Sequence, residues 1–126
     1  MLTLDWGSMA NLDIDWEQIL KSLGGDQDLL REVLQLSLTV IPRQTEKLRL
    51  AVESRLARDI ELTAHNLKGS LTIYHNQPLL SLAMRLETEA RSGCTSNSEQ
   101  IFRDLEIQIS YLLKTISAKM EGKRAS

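Results

Sequence analysis

Two histidines stand in the stretch TAHNLKGSLTIYH, residues 63–75. Apolar residues recur there every three or four positions, which predicts a single helix. On a helical wheel, His65 lies roughly 120–140° from the core-facing stripe, whereas His75 lies roughly 50–60° from it. We therefore expect His65 to face solvent. We expect His75 to lie at the helix end, near the core edge, with its ring packed on neighbouring side chains.

The spacing of the two histidines excludes a shared metal ion. Ten residues of helix rise about 15 Å, whereas a metal ion holds its ligands at about 2 Å. Neither histidine has a second histidine or a cysteine one helical turn away. A nucleophilic triad is not indicated either, because no serine stands in a strand-to-helix elbow and Cys94 lies in a polar loop with no base fixed beside it. No glycine-rich phosphate loop is present, so we expect no nucleotide site.

Gly69 follows His65 by one turn on the predicted outward face. A glycine inside a helix is about 1 kcal/mol less favourable than an alanine. At this position it leaves room for a group that approaches the imidazole or becomes attached to it. The alternative is that the glycine permits the close approach of the crossing first helix, which would also cover Leu62 and Ile73.

Lys68 lies three residues after His65, on the adjoining row of the helix. Its charge would favour an anionic group on the ring. A neutral imidazole is nucleophilic and can form a covalent bond to a transferred group. The combination of histidine, cation and steric gap on one exposed face predicts a phosphorylatable histidine.

The elements that would position these residues are all helices. The first is short and ends at a Gly-Gly pair, and the second begins at an aspartate cap. Pro42 falls inside the second helix, where it predicts a kink or a break. Ser96 and Glu99 have the spacing of a capping box before the fifth helix. The first predicted helix spans about Asp15 to Leu23, the second runs from Asp26 to a turn at 54–57, and the third spans about Arg58 to His75. The fourth runs from the NQP at 76–78 to Ser92-Gly93, and the fifth begins at Ser96.

Core-facing stripes are clearest in the third and fifth helices. They comprise Ile60, Ala64, Leu67, Leu71 and Tyr74 in the third, and Ile101, Leu105, Ile109, Leu112 and Ile116 in the fifth. Long amphipathic helices joined by short links are typical of a helical bundle. The sequence therefore predicts an all-α fold, an antiparallel four-helix bundle with a short extra N-terminal helix across one end. The bundle is expected to span 13–118, between a flexible leader at 1–12 and a flexible tail at 119–126.

The composition is that of one soluble domain. The chain has 126 residues and a formal net charge of -2, with 42% hydrophobic and 25% charged residues, so no basic surface for nucleic acid is indicated. No apolar run approaches the roughly 20 residues that cross a membrane, and the first residues lack the pattern of a secretory signal. A single cysteine allows no intrachain disulfide. These features predict a cytoplasmic protein, most simply a monomer, that binds neither nucleic acid nor membrane.

The stretch AHNLKGS, residues 64–70, followed by LLSLAMRLETEAR, residues 79–91, resembles the histidine-containing phosphotransfer (HPt) domain. The motif of that family is alanine-histidine-x-leucine-lysine-glycine-serine, then a leucine-rich helix that ends in Glu-x-x-Ala-Arg. The short leading helix, the glycine turn, the long helix with an internal proline and Asp59 also fit. The resemblance covers roughly residues 13–117.

The resemblance implies that His65 is the phosphorylated residue, that Lys68 assists electrostatically, and that Gly69 gives the phosphoryl group and the partner access. It implies a phosphoryl carrier in a multistep, two-component phosphorelay, without independent catalysis and without a cofactor of its own. The partner, a response-regulator receiver domain or a hybrid histidine kinase, would supply the aspartate and the Mg²⁺. Phosphoryl transfer depends mainly on positioning and charge neutralisation, which a docked partner can provide.

Two positions depart from the pattern of that family. The family often has a glycine ten residues after the histidine, where this chain has His75, and a second small residue after the serine, where it has Leu71. Both departures bear on the turn before Pro78 more than on the reacting centre.

The predicted partner-binding residues are Glu61, Leu62, Thr72 and Ile73, which flank the outward face. Leu62 and Ile73 would either form an apolar docking patch or be buried under the first helix.

Two other functions stay open beside the phosphorelay. One is a module that binds a receiver domain without accepting phosphate, and the other is an unrelated helical adaptor, in which His65→Gln would change nothing.

Overall fold

Five α-helices and one 3₁₀ turn account for the fold of residues 12–122, the part of the chain that the computed structural model describes. The helices are packed together and this range contains no strand, so the predicted all-α fold class is confirmed. No helix in this range is long and apolar enough to span a bilayer. The elements are α1 Trp16–Ser22, α2 Gln27–Ser54, α3 Ala57–Leu71, the 3₁₀ turn Thr72–Tyr74, α4 Gln77–Arg91 and α5 Ser98–Gly122.

The predicted terminal segments fall mostly at the edges of the described range. The leader at 1–12 lies outside it apart from Leu12, whose backbone N–H donates to Oγ1 of Thr115 at 2.9 Å. The tail predicted for 119–126 overlaps α5, which continues to Gly122. Its remaining residues, 123–126, lie outside the described range.

Side-chain caps fix the starts of three helices. A carboxylate oxygen of Asp15 accepts from the backbone N–H of Gln18 at 3.1 Å, and one of Asp26 accepts from that of Leu29 at 3.0 Å. The amide oxygen of Asn76 caps α4 in the same way. Such caps satisfy backbone donors that have no partner within the helix, and the predicted helix starts at these residues are confirmed.

The capping box predicted before α5 is wrong. The helix begins at Ser98, and the backbone N–H of Ile101 donates to the carbonyl of Asn97 at 3.0 Å, so Asn97 holds the cap position. Oγ of Ser96 instead lies 3.5 Å from Sγ of Cys94. The cap therefore lies one residue after the predicted Ser96, because a turn precedes the helix, and the Ser96–Glu99 spacing does not reveal that turn.

A kink or a break was predicted at Pro42, and the break does not occur, because α2 continues through Pro42 from Gln27 to Ser54. Pro42 is exposed, whereas Ile41, Thr45 and Leu48 around it are buried. Burial of the same helix face on both sides of the proline favours one continuous helix over two separate ones, although proline removes a backbone hydrogen bond.

The third helix ends earlier than predicted. Its α-helical part stops at Leu71, three residues of 3₁₀ helix follow, and His75 adopts a left-handed conformation with φ of 53°. The tighter turn and the left-handed residue bring the chain to the cap of α4. The prediction that α3 extends to His75 is therefore wrong, and His75 is an exposed residue of the connection.

The core lies between α2, α3, α4 and α5. Helices α3 and α5 each pack against both α2 and α4, and α1 packs on α2. Every residue of the predicted stripes in α3 and α5 is buried. Tyr74, which follows α3, is 1% exposed, and its hydroxyl donates to Oγ of Ser37 on α2 at 2.6 Å. The face of α3 opposite this core carries His65.

Candidate functional site

The carboxylate of Glu87 on α4 lies at the centre of a group of polar side chains from α3 and α4. Its Oε1 accepts from Nζ of Lys68 at 2.7 Å. Its Oε2 lies 2.8 Å from Nδ1 of His65 and accepts from Nη2 of Arg91 at 2.8 Å. Only 6% of the Glu87 side chain is exposed, against 60% for His65 and 58% for Arg91. We call His65, Lys68, Glu87 and Arg91 the Glu87 cluster.

The cluster forms because α3 and α4 run antiparallel. Glu61 lies one turn before His65, and it accepts a hydrogen bond from Nε of Arg91 at 3.0 Å. Arg91 in turn lies one turn after Glu87 on α4. Residues that advance along α3 therefore meet residues that recede along α4. The reversal is made by the 3₁₀ turn and the left-handed residue His75.

Glu87 is held as a carboxylate by its partners. Burial raises the pKa of Glu87, but hydrogen bonds and charge interactions with Lys68 and His65 outweigh burial, so the pKa lies below its ordinary value. The pKa of Arg91 is raised, chiefly by its hydrogen bond to Glu61 and also by the charge of Glu87. An ionised carboxylate accepts hydrogen bonds and does not donate them. This fixes the direction of the bond between Glu87 and His65.

Because Glu87 accepts, Nδ1 of His65 carries a proton, and in the neutral ring the lone pair is then on Nε2. Nε2 has no hydrogen-bond partner among residues 12–122. With 60% of the side chain exposed, the predicted outward orientation of His65 is confirmed. The exposed ring of His65 thus carries a nucleophilic nitrogen, and its tautomer is set by the hydrogen bond to the buried Glu87.

Gly69 is exposed on the same face of α3. A Cβ atom added at this position would meet no heavy atom of residues 12–122 within 4 Å, apart from the adjacent backbone of its own helix. The alternative explanation, that the glycine permits close approach of the first helix, is therefore wrong. The space beside His65 is open to a group from outside residues 12–122.

The predicted docking residues occupy different environments. Leu62 is 59% exposed, so it is not buried under α1. Ile73 is half-buried against the core. Thr72 is exposed, with its hydroxyl donating to the carbonyl of Lys68 at 2.9 Å. Glu61 is half-buried and bonded to Arg91, so it supports the Glu87 cluster directly.

An open depression lies beside His65 between α3 and α4. It brings together Glu61 and Leu62, whereas Thr72 and Ile73 lie outside it. Its lining residues are Arg58, Glu61, Leu62, His65, Glu87 and Arg91.

Three residues of this region had no assigned role in the sequence-based prediction: Arg58, Glu87 and Arg91. Glu87 stands 22 residues from His65, and the two meet only through the pairing of α3 with α4. One signal was available, since Glu87 lies between the core residues Leu86 and Ala90, where a charged side chain requires a partner.

Within residues 12–122, no group of three or more histidine, cysteine, aspartate or glutamate side chains is arranged to hold a metal ion.

Comparisons of the chain with protein-family models, with curated proteins and with solved structures found no match.

Proposed function

We propose that the protein is a histidine phosphotransfer intermediate of a multistep, two-component phosphorelay, and that His65 accepts and donates the phosphoryl group. The observation that carries the proposal is the bond between Nδ1 of His65 and Glu87, 2.8 Å long, which leaves Nε2 of a mostly exposed ring near an open glycine. A nitrogen nucleophile with a fixed tautomer and steric access is what attack on a phosphoryl group needs.

The transfer step is a displacement at phosphorus. The lone pair of Nε2 attacks the phosphorus atom of an aspartyl phosphate on the partner, the N–P bond forms, and the P–O bond to the aspartate breaks. The aspartate leaves as a carboxylate, and the proton on Nδ1 stays in its bond to Glu87. In the reverse step an aspartate of a second partner attacks the phosphorus, and the neutral ring of His65 is restored.

Charge neutralisation comes from both proteins. Lys68 and Arg91 pair with the carboxylate of Glu87 behind the ring, so its negative charge is offset where an anionic phosphoryl group would approach. The partner, a response-regulator receiver domain or a hybrid histidine kinase, supplies the aspartate and its Mg²⁺. The protein is accordingly a carrier without independent catalysis, and it holds no cofactor of its own.

We interpret the arrangement of the helices as an antiparallel four-helix bundle formed by α2 to α5, with α1 across one end. The packing of α3 and α5 against both α2 and α4 supports this interpretation. His75 supports the resemblance to HPt domains as well. It occupies the position where that family often has glycine, and its φ of 53° is a value that glycine adopts most readily.

The partner is proposed to dock on the outward face of α3, where Glu61, Leu62, Thr72 and Ile73 flank the phosphoacceptor. The exposed Leu62 supplies apolar area next to the reacting ring. A cytoplasmic monomer is the state in which this face is free for successive partners.

The test is phosphoryl transfer from phosphorylated receiver domains, with Mg²⁺, to the wild type and to His65→Gln. His75→Gln is the matched control, because His75 is also exposed but lies outside the Glu87 cluster. We expect acid-labile, alkali-stable phosphate on the wild type and on His75→Gln, and none on His65→Gln. Receivers that bind without transfer would identify a docking module instead. Label on all three proteins, or an absence of binding, would overturn the proposal.

A further inference from the structure

Arg58 differs from the other cations around His65 because its charge is not compensated. Lys68 is paired with Glu87, and Arg91 is paired with both Glu87 and Glu61. Arg58 is exposed and makes no hydrogen bond or ion pair to any side chain of residues 12–122. The depression beside His65 therefore carries one free positive charge.

Arg58 also lies on the same side of α3 as the phosphoacceptor. It precedes His65 by seven residues, which is a rotation within roughly 20° of the same direction and a rise of about 10.5 Å. The neighbouring Asp59 points roughly 100° away from it. Leu62 lies between Arg58 and His65 and is 59% exposed. Arg58, Leu62 and His65 thus place a cation, an apolar side chain and the imidazole one after another along this side of α3.

The chemistry of the partner indicates what this side of α3 would contact. An aspartyl phosphate formed with Mg²⁺ lies beside at least one further carboxylate, because Mg²⁺ is typically bound by one or two carboxylates together with phosphate oxygens. The partner surface around its reacting aspartate is therefore electronegative. A cation on a residue whose backbone lies about 10.5 Å along the helix from that of the acceptor would face the edge of that surface, and this rise is comparable with the Debye length of about 8 Å at physiological ionic strength.

We propose that Arg58, with Leu62, forms an electrostatic docking site for an acidic rim on the phosphoryl donor, so that Arg58 raises the rate of association. This inference rests on the proposed function. Arg58 does not take part in the displacement itself, because it lies two helical turns from the reacting nitrogen. A free anion is a poorer candidate for the occupant, since a single exposed guanidinium gives little affinity.

The experiment measures phosphoryl transfer from a purified phosphorylated receiver domain to the wild type, Arg58→Glu, Arg58→Lys and Arg43→Glu. Arg43 is the matched control, an exposed arginine on α2 outside the depression. The dependence of the transfer rate on protein concentration separates the second-order rate constant from the limiting rate at saturation. Each series is repeated between about 0.02 and 0.3 M salt.

We expect Arg58→Glu to lower the second-order rate constant by roughly tenfold at low salt, with the difference shrinking as salt rises. The limiting rate should be unchanged, and Arg58→Lys should retain most of the association rate. The inference is overturned if Arg58→Glu behaves like Arg43→Glu, or if only the limiting rate falls. If the wild type accepts no phosphoryl group from any receiver, the proposed function fails and this inference fails with it.

Discussion

Nδ1 of His65 lies 2.8 Å from Oε2 of Glu87, although 22 residues separate the two in the chain. The carboxylate is almost fully buried, and the imidazole is mostly exposed. A buried, ionised acceptor therefore sets the proton position of an exposed ring, in the way that outer partners orient histidine in many sites. The proton position of His65 is tied in this way to a residue on a different helix.

Replacement of Glu87 by glutamine should change both the tautomer of His65 and the transfer rate. The amide can present its NH₂ group as well as its oxygen, so the ring is no longer held with its lone pair on Nε2. We expect transfer to fall on the order of tenfold, with ¹⁵N chemical shifts of the ring that report a mixture of tautomers. Glu89→Gln is the control, because Glu89 on the same helix pairs with Arg85. Equal rates and equal ring spectra for the two variants would exclude this role of Glu87.

The lowered pKa of Glu87 predicts a specific dependence of stability on pH. A carboxyl group whose pKa is lower in the folded than in the unfolded protein stabilises the fold fully above its unfolded pKa. That contribution is lost as pH falls from about 4.3 through the lower folded value. Denaturant unfolding of the wild type and of Glu87→Gln should thus converge in free energy as the solution is acidified. Glu32→Gln is the comparison, at an exposed glutamate of α2 that forms no ion pair with any other residue of 12–122. A constant difference between wild type and Glu87→Gln across this range would contradict the prediction.

The hydrogen bond between Tyr74 and Ser37 should stabilise the segment that ends α3. Tyr74 is 1% exposed and its hydroxyl lies 2.6 Å from Oγ of Ser37. We expect Tyr74→Phe to lower the free energy of unfolding by about 1 kcal/mol and Ser37→Ala by about 1–3 kcal/mol, since the latter leaves a buried hydroxyl without its partner. The double variant should lose less than the sum. Tyr111→Phe, at a half-buried tyrosine, is the control, and additive losses in the cycle would show that the two hydroxyls are not coupled.

The fold class and the core were predictable because they depend on local periodicity. Helix caps such as Asp26 and Asn76 and the buried stripe of α3 follow from residues within one or two turns of each other. The end of α3 was not predictable in the same way. Leu71 ends the α-helix because the chain must turn tightly towards α4, and apolar spacing alone continues past it to Tyr74.

The site was predictable only where it lies on one helix. The wheel placed His65 and Gly69 outward, and both are exposed. Glu87 and Arg91 belong to the Glu-x-x-Ala-Arg stretch on which the resemblance rests, but their bonds to α3 depend on the antiparallel pairing of two helices. A single sequence does not give the register of that pairing, so the contact of Glu87 with His65 became visible only in three dimensions.

Gly69 should affect stability and transfer in opposite directions. In the described part of the chain, no heavy atom outside the helix's own backbone lies within 4 Å of an added Cβ, so Gly69→Ala should raise the free energy of unfolding by about 1 kcal/mol through helix propensity alone. A larger side chain such as leucine would keep most of that gain, yet it would fill the space beside the imidazole. We expect Gly69→Ala to transfer with a modest loss and Gly69→Leu to lose at least about tenfold, equivalent to 1.4 kcal/mol in the barrier. Asn66→Leu, at an exposed neighbour on α3, controls for an added leucine away from the open space. If Gly69→Leu is more stable and still transfers at the wild-type rate, the glycine has no role in access, and the open face of α3 does not serve the phosphoryl group.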